Sequence, residues 1–151
     1  MYYVGIDPSS NTGLVILDED MYVVFEECIS IEEENKYKKA DIIANEVVSN
    51  IIDCTDSVYR IKVCIEGFSY GSKGKSVDFQ YGLGYLIRQK LILYDIDYTE
   101  IPPSTLKRFA AGKGNVSKDV VMREVYKKWG YENNDNNIVD AYVLARMAAE
   151  K

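Results

Sequence analysis

Two apolar runs with a tight polar turn between them open the chain: Tyr2-Tyr3-Val4-Gly5-Ile6-Asp7, then Pro8-Ser9-Ser10-Asn11-Thr12, then Gly13-Leu14-Val15-Ile16-Leu17. This arrangement constrains the fold more than any other stretch, because it sets a buried strand, a reversal and a second strand at once. The first run ends on a carboxylate. A charge inside a strand must be paired or must bind something. Asp7 falls where a mostly buried central strand opens to solvent, a position suited to holding a metal or facing a phosphate. The plainer reading is that Asp7 only opens the turn through Pro8, as Asp-Pro often does.

Further along, residues 1–6 and 13–17 are expected as strands, Asp18-Glu19-Asp20 as a charged hairpin turn, and residues 21–29 as a third strand. Strand–turn–strand–turn–strand gives an antiparallel meander. Glu32-Glu33-Glu34 place acids where a helix N-terminus favours them. Ala40, Ile43, Ala44, Val47, Val48, Ile51 and Ile52 follow at helical spacing, so a helix is expected over roughly 33–53. Ile61-Lys62-Val63-Cys64-Ile65-Glu66 is a β-branched run that again ends on a carboxylate. A Gly/Ser/Lys loop covers residues 67–76. A helix over 77–93 follows, with Phe79, Leu83, Leu86, Ile87 and Leu91 on one side.

Gly82 and Gly84 within that helix cost about 1 kcal/mol each against Ala; they either allow a close backbone approach, for instance to a second subunit, or are simply tolerated. Residues 95–101 read as a strand stopped by Pro102-Pro103. Ser104 and Ser117 can cap short helices to Ala110 and about Trp129, and Gly130 ends the second. A last helix is expected over about 136–149. The order βββ-α-β-α-β-α-α-α predicts an α/β, ribonuclease H-like fold. Its five-stranded mixed sheet has three antiparallel N-terminal strands plus parallel strands, and helices on both faces. Neither a G-x-G-x-x-G after Asp7 nor a G-x-x-x-x-G-K-[ST] occurs, which argues against a nucleotide cofactor.

The 151 residues suit a single domain, 1–151. No apolar run approaches the roughly 18 residues of a membrane span, and no basic segment of signal-peptide type precedes the first strand. Cys28, Cys54 and Cys64 are odd in number and lack C-x-x-C spacing, which fits a reducing cytoplasm better than a disulfide framework or a zinc site. There is no histidine, so Ser-His-Asp and Cys-His chemistry is excluded. The net charge of −6 argues against nucleic acid until its distribution is considered. Residues 1–59 carry three Lys against thirteen acids, whereas residues 60–130 carry thirteen Lys/Arg against seven acids. A local basic field is therefore available on an acidic protein, with a polarised but merely solvated surface as the alternative.

Three carboxylates recur in one context. Asp7 ends strand one, Glu66 ends strand four, and Asp140 lies in the first turns of the last helix. If strands one and four are adjacent and parallel, Asp7 and Glu66 stand side by side, and a helix packed on that edge delivers Asp140. Ionised carboxylates in close pairs repel by several kcal/mol at low effective dielectric. They tolerate one another if protonated or if cations lie between them. Oxygen ligands without His or Cys favour Mg²⁺, with Mn²⁺ as substitute. Two such ions about 4 Å apart suit phosphodiester cleavage.

Gly5-Ile6-Asp7-Pro8-Ser9…Thr12-Gly13, Cys64-Ile65-Glu66-Gly67-Phe68, Pro102-x-x-x-x-Lys107, Gly112-Lys113-Gly114-Asn115-Val116-Ser117-Lys118 and Ile138-Val139-Asp140-Ala141 together resemble the RuvC family of Holliday junction resolvases. The spacing is similar over nearly the whole chain, and the likeness is nearest to resolvases of bacteriophages of low-GC Gram-positive hosts. The resemblance implies a homodimer that makes paired symmetric nicks across four-way DNA, leaving 5′-phosphate and 3′-hydroxyl ends.

Carried over by residue, it implies Asp7, Glu66 and Asp140 as metal ligands for two ions per site. It implies Lys118 in the catalytic set, with Lys107 and Lys118 meeting phosphate and Lys113 on DNA. It implies further that the loop after Glu66 enters the junction. Phe68 and Tyr70 both qualify as its stacking aromatic, and stacking is worth roughly 1–3 kcal/mol per base. Phe68 alternatively packs into the core. Lys73 and Lys75 are phosphate contacts or a solvated loop.

One departure stands out: the family has an acid three residues before Asp140, and this chain has Asn137. Asn137 serves as a neutral ligand, Asp135 replaces it from the turn, or the site is disabled. The competing functions are a junction-binding protein with weak or no cleavage because of Asn137, a relative of the nucleotide-binding actin and sugar-kinase group, and a ribonuclease H-type enzyme acting on RNA. The second of these lacks its second phosphate loop and its duplicated length.

Overall fold

The computed structural model describes residues 1–69, 73, 74 and 76–150. Strand β1 (Tyr2–Asp7) pairs antiparallel with β2 (Asn11–Leu17), and β2 pairs antiparallel with β3 (Val23–Ser30). On its other side β1 pairs in parallel with β4 (Ile61–Glu66), which pairs in parallel with β5 (Tyr98–Ile101). The sheet order is β3-β2-β1-β4-β5, so the two carboxylate-ended strands are its centre. Five mixed strands with the three-strand antiparallel start are as the sequence predicts.

Helices cover both faces. On one side α1 (Lys36–Cys54) and α2 (Val77–Leu93) bury Ile43, Val47, Ile51, Leu83, Ile87 and Leu91 against Val4, Ile6 and Ile65. On the other, α3 (Pro103–Ala111), α4 (Lys118–Trp129) and α5 (Asn136–Glu150) enclose Val15, Leu17 and Cys64. Among the described residues no helix is long and apolar enough to cross a membrane.

Several expected boundaries shift for local reasons. Helix α1 starts after Glu32-Glu33-Glu34, because Asn35 caps it: its side chain accepts from the backbone N–H of Tyr37 at 3.0 Å and Lys38 at 3.1 Å. An uncharged cap thus sets the start, and the acids precede the helix. Residue 95 does not begin a strand. Asp95 lies at φ 57 and Ile96 N–H donates to Leu91 O at 2.9 Å, so this stretch closes α2 and β5 begins at Tyr98. Met21, at φ 68, belongs to the β2–β3 turn, where Asp18 accepts from the N–H groups of Asp20 and Tyr22. A short 3-10 turn, Val58–Arg60, precedes β4 and was not anticipated.

Helix α5 is buried almost all round, with Ile138, Val139, Ala141, Tyr142, Val143, Leu144, Ala145, Met147 and Ala148 inaccessible. It lies across β1, β2 and β4 at unusually short range. A Cβ at Gly5 would run into the backbone of Ala141 and Ala145, and one at Gly13 into the backbone of Asn137. Two glycines on neighbouring strands therefore let the helix rest directly on the sheet, and this contact fixes where Asp140 arrives.

Candidate active site

The parallel register Ile6↔Ile65 puts Asp7 and Glu66 at the same end of adjacent strands. Asp7 also faces Gly13 across the antiparallel pair, so α5, resting on Gly13, brings Asp140 to the same rim. One carboxylate oxygen from each of Asp7, Glu66 and Asp140 lies within 4.8 Å of the others, and among the described residues this is the one acid group so arranged. Asp7 is only 7 % exposed; Glu66 and Asp140 are partly buried.

Burial dominates the electrostatics. It lifts the Asp7 carboxyl well above the usual carboxylate range, and the charges of Glu66 and Asp140 lift it further. Glu66 is raised to about 7 by burial and then by Asp140, against the pull of Lys107, Lys118 and a hydrogen bond donated by the Asp7 carboxyl. Asp140 is raised to about 6 by burial, with Lys118 and Lys107 opposing. Two lysines thus offset only part of the repulsion among three packed acids. A rim of oxygen donors that holds its charge with difficulty fits a hard divalent cation.

Two solved structures share this architecture. The structure of Thermus thermophilus RuvC aligns at a TM-score of 0.77 and 17 % identity, covering 96 % of this chain and 91 % of that one. The structure of T. thermophilus RuvC in complex with a Holliday junction substrate aligns at 0.73 and 16 %, covering 96 % and 90 %. The fold is that of RuvC. RuvC belongs to the ribonuclease H-like fold, the class expected from the order of elements. No family model matches the chain, and no curated protein matches it in sequence.

Within this RuvC fold the other predicted residues are placed as follows. Lys107, on α3, is partly buried, and Lys118, the first residue of α4, is exposed; both act on the acids. Lys113, in the loop before α4, and Lys73 are exposed. Tyr70 and Lys75 lie outside the described residues. Phe68 is partly buried and packed: its ring is 5.2 Å from that of Tyr81 and 5.4 Å from that of Tyr85, with the Arg88 guanidinium 4.2 Å from its centre.

Asp135 is the N-cap of α5, its Oδ1 accepting from the N–H groups of Asn137 at 2.8 Å and Ile138 at 3.4 Å. Its carboxylate also accepts from the Cys28 thiol, and the Asn137 side chain hydrogen-bonds the same sulfur. Burial, and after it Asp135, push that thiol up to about 11. Thr12 closes the β1–β2 turn, bonding the backbone of Ser9 through its hydroxyl.

Sequence reading missed Arg88, Cys28 and the roles of Gly5 and Gly13. Both glycines stood in the motif that carried the resemblance. Arg88 was visible as a lone cation on the apolar side of α2. For Cys28 no signal existed, since its neighbours come from a remote helix.

Proposed function

We propose that this chain is a divalent-metal-dependent endonuclease that cuts four-way and branched DNA. The supporting observation is the meeting of Asp7, Glu66 and Asp140 at the rim of a RuvC-type sheet. In this reading residues 1–151 form one nuclease domain. Asp7, Glu66 and Asp140 would hold Mg²⁺, or Mn²⁺ in its place, two ions to a site, with Asn137 lending a neutral oxygen. The chemistry such ions supply is activation of a water and stabilisation of a leaving 3′ oxygen. Lys118 and Lys107 meet the scissile phosphate, which brings negative charge to the lysines that already offset the acids. Lys73, Lys75 and Lys113 contact neighbouring phosphates, and Phe68 or Tyr70 meets a base.

T. thermophilus RuvC was solved with a Holliday junction substrate, and DNA of that shape is the substrate proposed for this chain. Two copies meeting through α2, over residues 79–90, would set two sites on opposed strands and make the nicks paired and symmetric. Cys28, Cys54 and Cys64 form no disulfide with one another, which suits the cytoplasm. A second reading, junction binding with weak cleavage, draws support from the Asn137 side chain, which bonds Cys28, and from Asp135, which is committed to capping α5.

A nicking assay on labelled four-way and linear DNA decides between them. Wild type is expected to nick the junction with Mg²⁺ or Mn²⁺ and spare the duplex, while Glu66→Gln binds without cutting. Equal cutting of both DNAs would contradict junction selectivity, and junction binding without nicks would favour the second reading.

A further inference from the structure

Arg88 is the one buried cation among the described residues, at 6 % exposure. Burying a guanidinium costs several kcal/mol unless it is well paired. Its ionic partner, Glu100 on β5, does not account for that burial: the Arg88 Nη2–Glu100 Oε2 distance is 3.5 Å and the Glu100 side chain is 49 % exposed. What Arg88 holds is the turn that leaves β4. Its Nη2 donates to the backbone carbonyl of Glu66 at 3.3 Å, its Nη1 to that of Gly84 at 2.9 Å, and its plane covers the Phe68 ring. Its Nε has no hydrogen-bond partner among the described residues.

The same turn is pinned from the opposite side, where Gly67 N–H donates to Ile101 O at 2.8 Å. Gly84 makes the arrangement possible, since a Cβ there would enter the space of the Phe68 ring and the guanidinium. The group opens on a cleft lined by Pro8, Gly67, Phe68, Gln80, Tyr81 and Arg88, beside Glu66.

We propose that Arg88 is a positioning residue: through the Glu66 carbonyl and the Phe68 face it fixes the Glu66 carboxylate at the acid rim and holds Phe68 at the mouth of this cleft. The inference rests on the proposed nuclease reading. Lysine cannot reproduce a planar fork that bonds two carbonyls while covering a ring. Groups that orient a metal ligand typically matter about 10–100-fold in metal affinity or activity.

The test uses full-length Arg88→Lys, Gly84→Ala and Glu100→Gln. Mg²⁺ affinity of the free protein is measured by calorimetry, kcat and KM on a four-way junction, and junction affinity without divalent ions. Arg88→Lys and Gly84→Ala are expected to weaken Mg²⁺ binding and lower kcat by about 10-fold or more, and to weaken junction binding to the extent that Phe68 meets a base. Glu100→Gln, which removes only the outer ion pair, is expected to match wild type. If Arg88→Lys fails to fold, Gly84→Ala decides alone, because it keeps the charge and displaces the contact. Wild-type Mg²⁺ affinity and kcat in those variants would overturn the proposal and leave the nuclease reading intact. A wild type that neither binds Mg²⁺ nor cuts would instead overturn the nuclease reading, and the role of Arg88 with it.

Discussion

Asn137 and Asp135 pose a question that substitution can answer cleanly. Asp135 caps α5 through Oδ1, and Asn caps as well as Asp does. Asp135→Asn therefore removes charge while keeping the helix start. The expected outcome is unchanged Mg²⁺ dependence of cleavage in Asp135→Asn and a lower Mg²⁺ requirement in Asn137→Asp, read from activity against metal concentration. Loss in the first and no gain in the second would assign the fourth ligand to Asp135.

Protonation of the acids gives a second outcome. Burial, then Asp140, lifts Glu66 from 4.5 to about 7, and burial lifts Asp140 from 3.8 to about 6. The folded chain then keeps protons that the unfolded chain has released between about pH 4 and pH 7. Stability from these groups is greatest at the acid end of that window and declines as pH rises through it. Thermal melts in a chelating buffer are expected to show a falling midpoint from about pH 5 to pH 7.5, a flatter profile for Glu66→Gln, and recovery with Mg²⁺. A midpoint that climbs across the window would contradict this electrostatic account.

Helix α5 sits where it does because Gly5 and Gly13 carry no side chain at the points where it crosses their strands. Gly13→Ala would press a methyl against the backbone of Asn137. Overpacking of this kind usually costs about 1–3 kcal/mol, and here the obstacle is backbone that cannot rotate away. Urea unfolding is expected to show at least that loss, with Mg²⁺-dependent activity falling because Asp140 shifts from its partners. Stability and activity like those of wild type would show that the helix has room to move.

Most elements were legible because their cues are local. Continuous apolar runs mark β1 and β2 and a β-branched run marks β4; Ser117 and Gly130 mark the ends of α4. The start of α1 was misplaced because a run of three acids outweighed a single Asn cap. Contacts between remote segments left no local trace. Gly5 against Ala141 and Arg88 against Glu66 are each decided by tertiary packing.

Charge along the chain resolves into a spatial division. The basic stretch 60–130 contributes α3 and α4, which carry Lys107 and Lys118 to the acid rim. Net charge alone argues against nucleic acid, whereas the distribution makes a local basic field available. The acid triad itself was legible for a related reason. Carboxylates closing two β-branched runs, and one early in an apolar helix, converge once the parallel β1–β4 pairing is assumed, and that pairing is observed.

Those three acids are proposed to form a seat for a divalent cation. Calorimetric titration of Mg²⁺ into the metal-free chain near neutral pH, repeated in buffers of different ionisation enthalpy, probes it most directly. Wild type is predicted to bind and to release protons as it does so, whereas Asp7→Asn and Glu66→Gln lose the binding. Wild type giving only heats of dilution, or both variants binding as wild type does, would contradict it.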